Sequence, residues 1–112
     1  MKVNFIYMTA GSREEARKIG KELVMSRLAA CVNILDNMNS LYMWQGKVQD
    51  DSEIVLIAKT TEDHVPQLIE KVKSLHSYEC PCIVSIPVSG GHQAFLDWIA
   101  DEVGSRIWDI GF

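Results

Sequence analysis

The amino-acid sequence predicts an α+β fold: a ferredoxin-like (split βαβ) sandwich, with helices on one face of an antiparallel sheet and an extra C-terminal helix. Segments with strand and helix periodicity alternate in the order strand, helix, strand, strand, helix, strand, helix. The two middle strands meet at a Gln45-Gly46 turn that is typical of a hairpin. The chain has 112 residues and no linker or long internal repeat, so we expect a single domain over residues 1–112.

The first strand and helix have clear local signals. Residues 3–8 are mostly apolar on both faces, which predicts a central strand that is covered on both sides. Ser12 with Glu15 three residues later is the capping-box pattern of a helix start. Apolar residues continue at helical spacing as far as Leu28, so the helix is expected to end near residues 29–30.

The middle of the chain predicts an unusually long hairpin. Residues 31–36 and 40–44 form its first arm, and residues 37–39 interrupt the strand pattern between them. Residues 47–59 form its second arm. Both arms exceed the usual strand length of about 5–6 residues. A hairpin that extends beyond a small sheet leaves exposed edges, and we expect neighbouring subunits to cover them.

The second half repeats the helix–strand order. A helix is predicted over residues 60–77, and a strand over residues 81–88 lies at a sheet edge because prolines occur near both of its ends. A last helix over residues 93–103 is stopped by Gly104. The C-terminal tail, residues 105–112, is apolar enough that we expect it to pack against the protein.

Composition excludes several classes of partner. The net charge of −4 offers no basic stripe for a phosphate backbone, so no nucleic acid is expected. No apolar run approaches the roughly 20 residues that cross a bilayer, so no membrane association is expected. The N-terminus lacks the longer apolar region of an export signal, and the three cysteines are an odd number. These features predict a cytoplasmic protein with reduced thiols.

Reactive groups concentrate in residues 75–92, which hold two of the three histidines and two of the three cysteines. Cys80 and Cys82 are two apart in a predicted strand, so they share a face, with Cα atoms about 6.5–7 Å apart at the limit of disulfide reach. With His76 upstream they offer soft ligands to copper(I), zinc or mercury. Alternatively, the thiols fill a packing face and His76 caps a helix. Met8 either fills a core gap or adds a thioether ligand.

The sequence offers little support for catalysis. It contains no nucleophile elbow, no phosphate-binding glycine loop and no paired carboxylates with an acid–base partner. A thiol enzyme using His76 with Cys80 or Cys82 lacks an identifiable third orienting group and predicts a lowered thiol pKa. We therefore predict that the protein is not an enzyme. No metal or cofactor is required for folding, because a chain of this length buries enough surface for one core.

Five blocks together resemble the CutA divalent-cation tolerance proteins. They are LAACVNI (28–34), SLYMWQGK (40–47), LIAKT (56–60), LHSYE (75–79) and LDWI (96–99), and only the last eight residues fall outside the resemblance. The resemblance implies a ferredoxin-like fold and a tight homotrimer in which long hairpins cross between subunits. It also implies a role in the response to copper and other divalent metal ions, with no firmly attached enzymatic activity.

The resemblance also suggests site residues. The positions that match an expected cleft between subunits are Trp44, Glu53, Lys59 and Tyr78. Family copper ligands align with Met8, Leu75 and His76, of which only His76 is a matching ligand type. Ser77, Cys80 and Cys82 replace the family's proline, valine and glutamate.

Two functional hypotheses follow. The first is a trimeric cytosolic protein that binds copper or a similar metal ion through His76, Cys80 and Cys82, with Met8 as a further candidate ligand. The second is a signalling or scaffold trimer that binds a small ligand or partner protein at the inter-subunit cleft.

Overall fold

The computed structural model describes residues 2–104 and confirms the predicted fold class. Four antiparallel strands lie in the order β2-β3-β1-β4, which is the split βαβ arrangement. The elements are β1 (Val3–Ala10), α1 (Arg13–Met25), β2 (Cys31–Trp44), β3 (Lys47–Thr61), a 3₁₀ turn (Glu62–His64), α2 (Val65–Leu75), β4 (Ile83–Pro87) and α3 (Gln93–Glu102).

The core lies between one sheet face and the first two helices. Alternate residues of β1 and β3, such as the paired Ile6 and Ala58, point toward α1 and α2. Leu23 of α1 and Leu68 of α2 are fully buried against them. We call this the helix face of the sheet, and the opposite side the open face. Phe5, Tyr7 and Thr9 of β1 occupy the open face because successive side chains of a strand alternate.

Helix α1 begins as predicted and ends early. Ser12 Oγ accepts a hydrogen bond from Glu15 N–H at 3.1 Å, which caps the helix. The helix stops at Met25, whereas the apolar spacing predicted its end near residues 29–30. Arg27 takes a left-handed φ of 61°, so the chain leaves the helix there. Leu28 nevertheless packs against the core from the following loop, which explains its helix-like spacing.

The long hairpin projects from the rest of the fold. β1 pairs only with residues 54–61 of β3, so the outer half of the β2–β3 hairpin has no other neighbour in the sheet. The described residues therefore extend 53 Å along their longest axis. The interruption predicted in the first arm is observed as a register shift between Leu35 and Met38, where Asn37 has a φ of 64°.

The last strand is shorter than predicted, and the last helix, which has nearly its predicted bounds, lies apart from the first two helices. β4 spans Ile83–Pro87 rather than residues 81–88, so Cys80 and Cys82 precede the strand. The prediction of helices on one face holds for α1 and α2, whereas α3 reaches the open face. Its Phe95 ring lies 5.5 Å from Lys59 Nζ, and that ammonium group also lies 5.6 Å from the Phe5 ring.

The predicted packing of the tail falls at residues 105–112, outside the described part of the chain. Within residues 2–104, none of the helices has the length and apolar character needed to cross a membrane.

Candidate functional site

A groove of about 780 Å³ lies on the open face, between the outer half of the hairpin and the segment before β4. Its lining residues are Tyr7, Thr9, Met38, Asn39, Ser40, Leu41, Tyr42, Trp44, Gln49, Asp51, Glu53, Tyr78, Glu79, Cys80 and Cys82. We call it the hairpin groove. It combines aromatic rings, carboxylates and two thiols.

Strand alternation explains which side chains enter the hairpin groove. Glu53 and Asp51 of β3 are two residues apart and share the open face with Thr9 of β1. Ile83 pairs with Met8 on the helix face, so Cys82, one residue earlier, lies on the opposite side beside Thr9. The sheet therefore brings the acids of the hairpin and the thiol segment to one end of the same face.

Tyr78 joins the two walls of the groove. Its hydroxyl donates a hydrogen bond to Glu53 Oε2 at 3.0 Å, and Glu53 is only 9% exposed. Burial, together with this hydrogen bond and the carboxylate charge, raises the pKa of Tyr78 well above its ordinary value, so the phenol stays protonated and donates. Gly11 lies directly beneath the ring: a Cβ there would lie 3.1 Å from the hydroxyl oxygen.

His76 holds the segment that carries Tyr78. Its Nε2 lies 2.7 Å from the carbonyl oxygen of Thr9, and its Nδ1 lies 3.0 Å from the N–H of Tyr78. The Tyr78 amide can only donate, so Nδ1 accepts and Nε2 carries the proton that bonds Thr9. Both ring nitrogens are therefore engaged by the backbone. A metal-ligand role for His76 stays a prediction, and it requires one of these bonds to break.

Glu15 fastens the same segment to the start of α1. Its Oε2 accepts a hydrogen bond from Ser77 N–H at 2.7 Å, and its Oε1 accepts from Gly11 N–H at 3.4 Å. Burial opposes ionisation of this carboxyl, but the hydrogen bonds from Ser77 and Gly11 outweigh it and hold the pKa of Glu15 below its ordinary value. The capping glutamate of α1 thus also positions the loop beside the groove.

Cys80 and Cys82 are exposed free thiols that line the hairpin groove, so neither fills a core position. Partial desolvation of the Cys82 sulfur, together with the nearby Glu53 carboxylate, raises the pKa of the Cys82 thiol. An activated nucleophile has a lowered thiol pKa. The environment of Cys82 therefore opposes a role for this thiol as an activated nucleophile.

The structure brings five of the eight predicted site residues together in the hairpin groove: Trp44, Glu53, Tyr78, Cys80 and Cys82. The remaining three lie outside the lining. Lys59 stands between two aromatic rings farther along the open face, and Met8 is 1% exposed in the core. In the described part of the chain, no three His, Cys, Asp or Glu side chains cluster closely enough to hold a metal ion.

Among the groove residues that the sequence interpretation did not assign to a site, Tyr42 and Asp51 bond each other. Tyr42 donates a hydrogen bond to Asp51 Oδ2 at 2.5 Å on the outer hairpin, and this bond is the main cause of the raised pKa of Tyr42. The strand alternation that places Tyr42 on the same side as Trp44 was visible in the sequence. The pairing with Asp51 was not, because it depends on the hairpin register.

Comparisons with known proteins agree on one family. The sequence profile described as "CutA1 divalent ion tolerance protein" matches residues 4–102. The divalent-cation tolerance protein CutA of Thermus thermophilus is 46% identical over 99 residues, which cover 88% of this chain and 96% of that protein. The Archaeoglobus fulgidus protein of the same name is 45% identical over 100 residues, which cover 89% of this chain and 97% of the relative.

Solved structures give the same result. The structure described as divalent cation tolerance protein (Cut A1) from Thermus thermophilus has a TM-score of 0.89 and 45% identity, and the match covers 91% of this chain and 99% of that one. These names describe ion tolerance and name no reaction. Because both the family profile and relatives well above 30% identity span most of the sequence, the chain belongs to the CutA1 divalent ion tolerance protein family.

Proposed function

We propose that this protein acts in divalent-cation tolerance as a cytoplasmic homotrimer that binds copper or a similar metal ion and catalyses no reaction. The observation that carries the proposal is the hairpin groove, which places the thiols of Cys80 and Cys82 beside the Glu53 carboxylate. Thiolates are the protein ligands that select soft ions such as copper(I). Membership of an ion-tolerance family and three free thiols, which persist in a reducing compartment, support the role and the location.

The uncovered apolar surface supports the homotrimer. Leu41 and Val48 on the outer hairpin are 67% and 70% exposed, and Val84 and Ile86 on the open face are half exposed. Large apolar side chains that are exposed together are typical of an association surface. An unpartnered hairpin edge is in addition a pairing site for another chain. Light scattering of the purified protein should give three times the 12.6 kDa mass of one chain. A mass of one chain at micromolar concentration would contradict the assembly.

Metal binding can be tested on the same preparation. Elemental analysis after purification without added metal, followed by calorimetric titration with copper and zinc, should detect saturable binding in the wild-type protein. Replacing both Cys80 and Cys82 by serine should weaken copper binding, whereas Cys31→Ser, which removes the remaining thiol, should leave it unchanged. Failure of the wild-type protein to bind either ion would contradict the metal-binding role. His76 and Met8 remain candidate ligands, and His76→Ala and Met8→Leu in the same titration test them.

The lining of the hairpin groove favours a second candidate, binding of a small ligand or partner protein. Asp51, Glu53 and Glu79 line it together with aromatic rings such as Trp44, whereas Lys59 lies outside it. Carboxylates and aromatic faces both attract organic cations, so a cationic ligand is expected.

A fluorescence titration with spermidine tests this alternative. Asp51→Asn should weaken binding, whereas the matched control Asp50→Asn, one residue away and outside the lining, should not. Equal binding by the two variants would exclude the groove as the site.

A further inference from the structure

We propose that Cys80 and Cys82 form a two-thiolate site for a monovalent thiophilic ion, copper(I) or silver(I), that is satisfied by linear coordination between two sulfurs. The inference rests on the metal-binding function proposed above and deepens it by naming the ion class and the ligand pair. It predicts that this site discriminates against zinc and other divalent ions, which need more ligands.

The backbone sets the spacing of the two thiols. Pro81 lies between them, which fixes its own φ near about −65° and disfavours a helical conformation at Cys80. Residues 80–82 lie outside the strands and helices, and Cα atoms two residues apart can be separated by at most roughly 7 Å in any conformation. Cys80 and Cys82 both line the hairpin groove.

A bridging ion tolerates a wider separation of two thiols than a disulfide does. A disulfide joins its sulfurs at about 2.05 Å and usually needs Cα atoms no farther apart than about 6.8 Å. Two metal–sulfur bonds of about 2.3 Å in a line hold the sulfurs roughly twice as far apart. A linear dithiolate can therefore form where two neighbouring thiols are too far apart to join directly.

The surroundings supply negative charge but no ready third ligand. Both nitrogens of His76 bond backbone groups, Met8 is in the core, and residues 2–104 contain no cluster of three potential ligands. Structural zinc is almost always four-coordinate, whereas soft thiolates select copper(I). Glu53 is close enough to Cys82 to act on it electrostatically, so its charge favours a bound cation. Each ion forms two metal–sulfur bonds and releases the two thiol protons to solvent.

Competition with a coloured copper(I) chelator under reducing conditions, and a parallel titration with silver(I), test the site on the full assembled protein. We expect one ion per chain. Cys80→Ser and Cys82→Ser should each weaken binding by more than the roughly 10–100-fold that outer-shell changes cost, whereas the matched control Cys31→Ser should not change it. X-ray absorption of the copper(I) form should show two sulfur neighbours, and zinc should bind far more weakly.

Several results would overturn the two-thiolate site while leaving metal binding intact. These are unchanged affinity in Cys82→Ser, a third sulfur or a nitrogen at the ion, or zinc binding through the same pair with equal affinity. Protein that binds no metal contradicts both proposals.

Alkylation of the wild-type protein gives a readout that does not depend on how the variants fold. Silver(I) should protect Cys80 and Cys82 from iodoacetamide but leave Cys31 accessible, as judged by mass spectrometry. Equal protection of all three thiols would also contradict the site.

Discussion

The most informative substitution is His76→Ala, because it separates a structural role of the imidazole from a ligand role. The ring makes two hydrogen bonds, to the Thr9 carbonyl and from the Tyr78 amide, and its centroid lies 4.6 Å from that of the Tyr78 ring. A net hydrogen bond contributes roughly 0.5–1.5 kcal/mol and an aromatic pair a similar amount. Because His76 is only half-buried, water replaces part of the hydrogen bonding that the substitution removes. We therefore expect a loss of about 2 kcal/mol in the free energy of unfolding.

Urea unfolding of metal-free protein, at one pH and one protein concentration, measures this loss as a lower midpoint at constant slope. His92→Ala is the matched control, because that imidazole is exposed and makes no capping bond at the start of α3. It should change the stability by less than about 0.5 kcal/mol. If His76→Ala were as harmless as His92→Ala, the structural role of the His76 imidazole would be refuted and a ligand role for His76 would gain support.

Three further predictions concern the neighbouring contacts. Ser12→Ala removes the side-chain cap of α1 and should cost about 1 kcal/mol of stability by urea unfolding, and an unchanged midpoint would contradict that role. Tyr78→Phe leaves the buried Glu53 carboxylate without its phenol donor and should cost about 1–2 kcal/mol; a stability equal to wild type would show that water replaces the phenol. Because the pKa of Glu15 is lowered in the folded state, its contribution is present above the unfolded carboxyl pKa and is lost as the pH falls through the folded value. Glu15→Gln should therefore lose less stability than wild type between neutral pH and about pH 3, whereas parallel acid-unfolding curves would contradict the predicted linkage.

The order of elements was predictable because each element has a local cause. The cap formed by Ser12 and Glu15, the hairpin turn at Gln45-Gly46 and the alternation along β1 all act within a few residues. The ends of the helices and strands were less predictable where a neighbouring loop also packs apolar residues against the core. Leu28 shows helical spacing yet packs from a loop, because the left-handed backbone at Arg27 ends the helix without removing the apolar contact.

The candidate site was predictable in its residue types and less so in its geometry. Alternation placed Cys80 and Cys82 on one side, and both do line one groove although the strand begins only at Ile83. Lys59 and Glu53 are six residues apart along β3, so roughly 20 Å of strand separates them, and Lys59 lies outside the groove. Sequence could not show that α3 brings Phe95 to Lys59, nor where the nitrogens of His76 point.

By itself, the sequence determined the fold class, the family, the overlong hairpin and the thiol pair, since these follow from local periodicity and from residue identity. Only the tertiary structure decided which of those groups meet. The pairing of the hairpin with β1 forms one side of the groove, and a loop fastened by His76 and Glu15 carries Tyr78 and both thiols into it. Such contacts join residues far apart in the chain, and their geometry is set by the packing of the whole sheet rather than by any local pattern.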